Sequence, residues 1–115
     1  MITLSTHVLD TARGTPAADL RLTLERLAPQ PQQLGVFTTN ADGRVAGGLL
    51  PPEQAIPGQY RIRFEAGAYL RQHGEALPDF PFLDSIPIEF GITVDGHYHV
   101  PLLLSPYGYS TYRGS

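Results

Sequence analysis

The sequence predicts an all-β domain, a two-sheet β-sandwich of about seven or eight short strands with one short helix. Three observations carry that reading. Apolar and polar residues alternate in several separate segments, the period of a half-buried strand. Twelve glycines and eleven prolines are spread along 115 residues rather than gathered into a linker, as frequent turns between short strands require. One segment alone, residues 66–73, reads as a helix, and it stops at Gly74, a residue suited to a left-handed C-cap.

The bulk properties narrow the function classes. A chain of 115 residues fits one domain, residues 1–115, and can bury an ordinary core without staples. Eight basic against eleven acidic side chains leave a net charge of −3, which argues against a nucleic-acid or anionic-membrane partner. There is no cysteine, hence no disulfide framework, thiolate metal ligand or thiol nucleophile. No stretch approaches the roughly 20 apolar residues of a membrane span. The N-terminus enters Ile2-Thr3-Leu4 with no basic leader, so the expected location is cytoplasmic, or periplasmic if a leader has been removed.

Each element follows from its pattern. Residues 2–9 alternate, with Ile2, Leu4, Thr6 and Val8 suited to the core and His7 left on the other face beside Thr3 and Ser5. Asp10 to Pro16 is a turn-rich link. Residues 20–27 alternate again, with Leu20, Leu22 and Leu24 inward and Arg21, Thr23 and Glu25 outward. A polar loop over 29–33 leads to a strand near 34–39, and Asn40-Ala41-Asp42-Gly43 then makes a tight turn just before Arg44. Gly47-Gly48 and Pro51-Pro52 mark further loop, with a short helical turn near 53–56. Residues 58–65 form the clearest strand, with Tyr60, Ile62 and Phe64 inward. His73 falls in the last turn of the helix, where a cation is favoured by the dipole, so it reads as structural. The apolar loop 79–84 is expected to pack over the sheet, and the strand 86–93 to bury Ile86, Ile88, Phe90 and Ile92. Asp95-Gly96 is the turn before the closing hairpin.

The closing segment 97–115 is the most informative. On a strand, His97, His99, Pro101 and Leu103 share one face, and Tyr98, Val100, Leu102 and Leu104 share the other, apolar one. Pro101 cannot donate to a ladder, so an open edge or a local gap is expected there. Ser105-Pro106-Tyr107-Gly108 reads as a type I turn, followed by a return strand over 109–112. By itself, a His-x-His pair is as consistent with a solvated strand face as with a site, and a lone Arg44 beside a turn reads as a surface charge.

Taken together, three separated motifs are more specific. Leu4-Ser5-Thr6-His7-Val8-Leu9-Asp10, Thr39-Asn40-Ala41-Asp42-Gly43-Arg44, and His97-Tyr98-His99-Val100-Pro101 through Tyr112-Arg113-Gly114-Ser115 stand in this order. The chain, over essentially its whole length, resembles the transthyretin-related 5-hydroxyisourate hydrolases, whose terminal Tyr-Arg-Gly-Ser separates them from true transthyretins. The resemblance implies a transthyretin-like sandwich and a site built from His7, Arg44, His99 and Tyr112, with Ser115 as a weaker member. Within the His-x-His pair it favours His99 over His97. It also implies ring-opening hydrolysis of 5-hydroxyisourate to 2-oxo-4-hydroxy-4-carboxy-5-ureidoimidazoline, without a cofactor. A homotetramer with sites at the dimer–dimer interface is implied as well.

The residue types suit that chemistry. Neutral imidazole, with a pKa near 6.5, is matched to general-base work on water at neutral pH. Arginine donates two parallel hydrogen bonds to an oxygen- and nitrogen-rich ring edge and stabilises a developing oxyanion. His-x-His with a further histidine is also zinc-like. Arg44 would place a fixed positive charge in the same site, however, so no metal is expected. The competing reading is a non-enzymatic carrier of small ligands or an interaction module of the transthyretin type.

Overall fold

The computed structural model describes residues 1–114. In chain order its elements are β1 (Ile2–Asp10), β2 (Thr15–Pro16), β3 (Arg21–Ala28), β4 (Gln32–Thr38), β5 (Gly58–Glu65), helix α1 (Ala66–Gln72), β6 (Ser85–Ile92), β7 (Gly96–Ser105) and β8 (Gly108–Thr111). The strands form two four-stranded sheets, ordered β2-β1-β7-β8 and β4-β3-β5-β6. The predicted sandwich is therefore the one observed. Neighbouring strands run antiparallel except β1 and β7, which lie parallel in an unbroken register from Ile2 opposite Gly96 to Asp10 opposite Leu104.

The alternation read from the sequence sets the core. Ile2, Leu4 and Val8 of β1, Leu22 and Leu24 of β3, Tyr60, Ile62 and Phe64 of β5, and Tyr98, Val100, Leu102 and Leu104 of β7 are all buried between the sheets. Thr6 shares this face, and its hydroxyl is satisfied by donating to the Val100 carbonyl at 2.7 Å. The outer face of the second sheet is charged instead. Glu25, Arg61 and Glu89 lie in cross-strand register, and the Arg61 guanidinium reaches Glu25 at 3.0 Å and Glu89 at 3.3 Å. The Arg61–Glu25 pair is half-buried and only Glu89 is exposed, so the pair with Glu89 adds little stability.

Helix α1 closes one end of the core with Tyr69 and Leu70. Its Gly67 donates to the Asp84 carbonyl, and a β-carbon there would fall 2.3 Å from the Asp84 carboxylate. The loop that ends at Asp84 departs from expectation. The loop 79–84 does not pack over the sheet: Phe80 is 92% and Phe82 74% exposed, and only Leu83 reaches the core margin. Phe82 instead meets Tyr107, with ring centres 6.2 Å apart. Smaller differences are that β4 begins at Gln32, inside the expected loop, and that the helical turn after Pro51 is a 3-10 turn over Pro52–Gln54. The gap expected at Pro101 is present. β8 pairs with β7 only from Leu102 to Ser105, and beyond it Thr111 Oγ1 donates to the Pro101 carbonyl at 2.7 Å. Among the described residues no helix is long and apolar enough to cross a membrane.

One buried polar contact ties the helix to the first strand. Asp10 ends β1 with its carboxylate in the core, where it accepts the Tyr69 hydroxyl at 2.8 Å and the Arg13 amide at 3.0 Å. Burial, then the Asp10 hydrogen bond and charge, push the Tyr69 phenol up to about 12. The folded state therefore holds this proton between pH 10 and 12, where the unfolded chain releases it, so stability falls with rising pH across that window. Tyr69→Phe leaves Asp10 short of a partner and is expected to cost about 1–3 kcal/mol at neutral pH in urea unfolding. That difference from wild type should shrink as the pH passes 10.

Candidate active site

The outer face of the first sheet carries the candidate residues, and the parallel pairing assembles it. Thr3 lies opposite His97, Ser5 opposite His99 and His7 opposite Pro101. Strand alternation sends their side chains away from the core. The Thr3 hydroxyl bonds His97 Nδ1 at 2.6 Å, and the Ser5 hydroxyl bonds both His97 Nε2 at 2.9 Å and His99 Nδ1 at 2.7 Å. The two imidazoles of β7 are near-parallel, with ring centres 6.4 Å apart.

Arg44 arrives at this face through a turn that the sequence dictates. Asn40 opens it, and its side-chain oxygen accepts from the amides of Asp42 at 2.9 Å and Arg44 at 3.1 Å, as asparagine does in tight turns. Gly43 has φ +74°, and a β-carbon there would fall 2.3 Å from the Val8 carbonyl oxygen. Only glycine fits both the conformation and the close approach. The Gly43 carbonyl then accepts the Val8 amide at 2.8 Å, and Arg44 forms an antiparallel bridge with His7. His7 and Arg44 are thus backbone neighbours although 37 positions separate them in the numbering.

His99 and His7 are half-buried, whereas Arg44 and His97 are exposed. Burial first, then the Arg44 cation and then His97 and His7, hold the pKa of His99 below the ordinary 6.5. The structure thus brings His7, Arg44, His97 and His99 close enough to act on one another. The final segment adds a residue that sequence reasoning did not single out. The Gly114 amide donates to the His99 carbonyl at 2.8 Å, and a β-carbon at Gly114 would stand 2.4 Å from His99 Cδ2. Glycine here lets the backbone lie against the imidazole. Ser5 and Thr3 were noted only as small neighbours of His7, and their role depends on a strand pairing that local pattern does not reveal.

Tyr112 is not brought into this group. It is 60% exposed and lines a separate cavity of about 230 Å³ with Phe90, Tyr98, Val100 and Arg113, where the Arg113 guanidinium lies 4.4 Å over the Tyr98 ring. Ser115 lies outside the described residues. Among the described residues no three of His, Cys, Asp and Glu converge as a metal site.

A parallel contact between the first strand and the next-to-last, two four-stranded sheets, and a histidine-lined outer face define a transthyretin-like domain. Residues 4–114 match the HIUase/Transthyretin family, and the chain belongs to it. Among similar proteins, a 5-hydroxyisourate hydrolase of Mesorhizobium japonicum is 55% identical over 97% of this chain and 91% of its own length. A solved (S)-allantoin synthase superposes with a TM-score of 0.93 at 47% identity, covering 99% of this chain; the chain spans only 44% of that larger protein. Sea bream transthyretin in complex with thyroxine superposes with a TM-score of 0.86 at 29% identity, over 97% of this chain and 94% of that one.

The electrostatics of the group are directly measurable. In an NMR titration of the histidine side chains, His99 should titrate below 6.5, and Arg44→Ala should move it upward. The move should stop short of 6.5, because burial is the larger cause and remains.

Proposed function

We propose that this chain hydrolyses 5-hydroxyisourate, opening its ring to 2-oxo-4-hydroxy-4-carboxy-5-ureidoimidazoline by attack of a histidine-activated water. The observation that carries the reading is the meeting of His7, Arg44 and His99 on one sheet face, with His99 kept neutral by its surroundings. The relatives' shared name supplies the substrate.

In this reading His99 takes the proton from water as it adds to the ring carbonyl. A neutral, partly desolvated imidazole is the right species for that step at neutral pH. Among the described residues its Nε2 has no protein partner, so this nitrogen is free to face water. His7, on the neighbouring strand, positions the water, and Arg44 holds the ring edge and stabilises the oxyanion that develops at the carbonyl. No covalent intermediate, cofactor or metal enters. Tyr112 and Ser115 complete the substrate contacts in a homotetramer whose sites lie at the dimer–dimer interface. Tyr112 lies apart within one chain, which is in keeping with a site completed by a second copy. The reaction belongs to urate breakdown and is assigned to the cytoplasm, or to the periplasm where a leader directs export.

The second reading is a carrier, since a transthyretin holding thyroxine shares the fold. The imidazole, guanidinium and hydroxyl groups of this face favour catalysis, because an apolar ligand would leave them unsatisfied.

An ultraviolet time course of freshly generated 5-hydroxyisourate tests the proposal. Wild-type protein should speed its decay, and His99→Ala and Arg44→Ala, shown folded by circular dichroism, should each lose about 100-fold or more. Decay no faster than without protein would sink the enzymatic reading and leave the carrier.

A further inference from the structure

We propose that Ser5 and His97 are positioning residues that decide which nitrogen of His99 is basic. The inference rests on the reading of His99 as the general base. It starts from the three hydrogen bonds of the outer face, which form one continuous row: Thr3 Oγ1 to His97 Nδ1, His97 Nε2 to Ser5 Oγ, and Ser5 Oγ to His99 Nδ1.

Such a row limits how the two neutral imidazoles can carry their hydrogens. A serine hydroxyl has one hydrogen to donate, and a neutral imidazole has one N–H and one bare nitrogen. Ser5 touches a histidine on each side and can donate to only one of them, although its two lone pairs can accept from both. If Ser5 donates to His99 Nδ1, the His99 hydrogen must sit on Nε2, and the nitrogen facing outward is no base. If Ser5 donates to His97 Nε2 instead, His99 keeps its hydrogen on Nδ1 and offers a bare Nε2 to water. His97 then carries its own hydrogen on Nδ1 and donates it to Thr3. The base-competent direction therefore runs from His99 through Ser5 and His97 to Thr3.

This arrangement does for His99 what a carboxylate does in other acid–base sites, where the hydrogen bond to one imidazole nitrogen fixes the role of the other. The backbone supports it. Ser5 and His99 are register partners in the parallel ladder, and Gly114 bonds the His99 carbonyl and lies against its ring.

The experiment pairs nitrogen-15 NMR of the histidine side chains with steady-state hydrolysis. Wild-type His99 should show the Nδ1–H tautomer at neutral pH. In Ser5→Ala the signal should move toward Nε2–H, and kcat should fall about 10-fold or more with KM within twofold. In His97→Ala, which removes the acceptor of the Ser5 hydrogen, the His99 signal should likewise move toward Nε2–H. A tautomer and kcat unchanged in Ser5→Ala would overturn the proposal. If that variant does not fold, a His99 tautomer unmoved in His97→Ala overturns it instead. Failure of the parent reading looks different: His99→Ala would keep full activity, or wild type would show none, whatever tautomer is observed.

Discussion

The pairing of β1 with β7 is the constraint on which the rest of the molecule depends. It joins the first strand to the next-to-last in a parallel ladder, running from Ile2 opposite Gly96 to Asp10 opposite Leu104. A one-residue slip would turn every side chain of one strand to the wrong face. The buried row of Ile2, Leu4, Val8, Tyr98, Val100 and Leu102 forbids that slip, because it would place this apolar surface in water. The same register seats Ser5 beside His99 and Thr3 beside His97. Hydrophobic burial on one face thus positions the polar chemistry on the other.

The remaining elements act on this ladder from its two ends. At the carboxyl end of β1, Asp10 is held by Tyr69 of the helix, which locks β1 against the opposite sheet. The Asn40–Gly43 turn docks on Val8 and carries Arg44 to His7. On the other side Gly114 closes against His99. The positive charge of Arg44 then costs little in stability, because the residue is exposed, but it depresses the proton affinity of a neighbour that is half-buried.

Much of this was legible in the sequence, and the reasons are local. Strict alternation over residues 2–9, 20–24, 58–65 and 97–104 is a period-two signal that survives folding because burial enforces it. The Asn-Ala-Asp-Gly turn before Arg44 was legible because glycine and asparagine mark special backbone geometry. The parallel partnership of β1 and β7 was not, since no local pattern encodes which strand meets which across some 90 residues. Resemblance to known hydrolases, rather than pattern, named His7, Arg44 and His99 together. Tyr112 shows the limit of that route, because within this chain it lines a cavity apart from the histidines. The loop with Phe80 and Phe82 misled because apolar composition does not say whether room remains under it. Arg26 was unreadable for the opposite reason. It occupies an inward position, and its guanidinium is satisfied by the nearby Gln32 at 3.3 Å and, from distant segments, by the Gln54 carbonyl at 2.7 Å and the Tyr60 hydroxyl at 3.4 Å.

The alternation of β1 and β7 also divides the labour of evolution by parity. Even-numbered residues from Ile2 to Val8 and from Tyr98 to Leu104 are bound to the core, so change there is tested first by folding. Thr3, Ser5, His7, His97 and His99 answer to no such demand, since none contributes to the packed interior. A lineage can therefore rewrite the chemistry of this face one odd position at a time while the sandwich beneath it stays intact. The sandwich itself is shared with a transthyretin solved in complex with thyroxine at 29% identity.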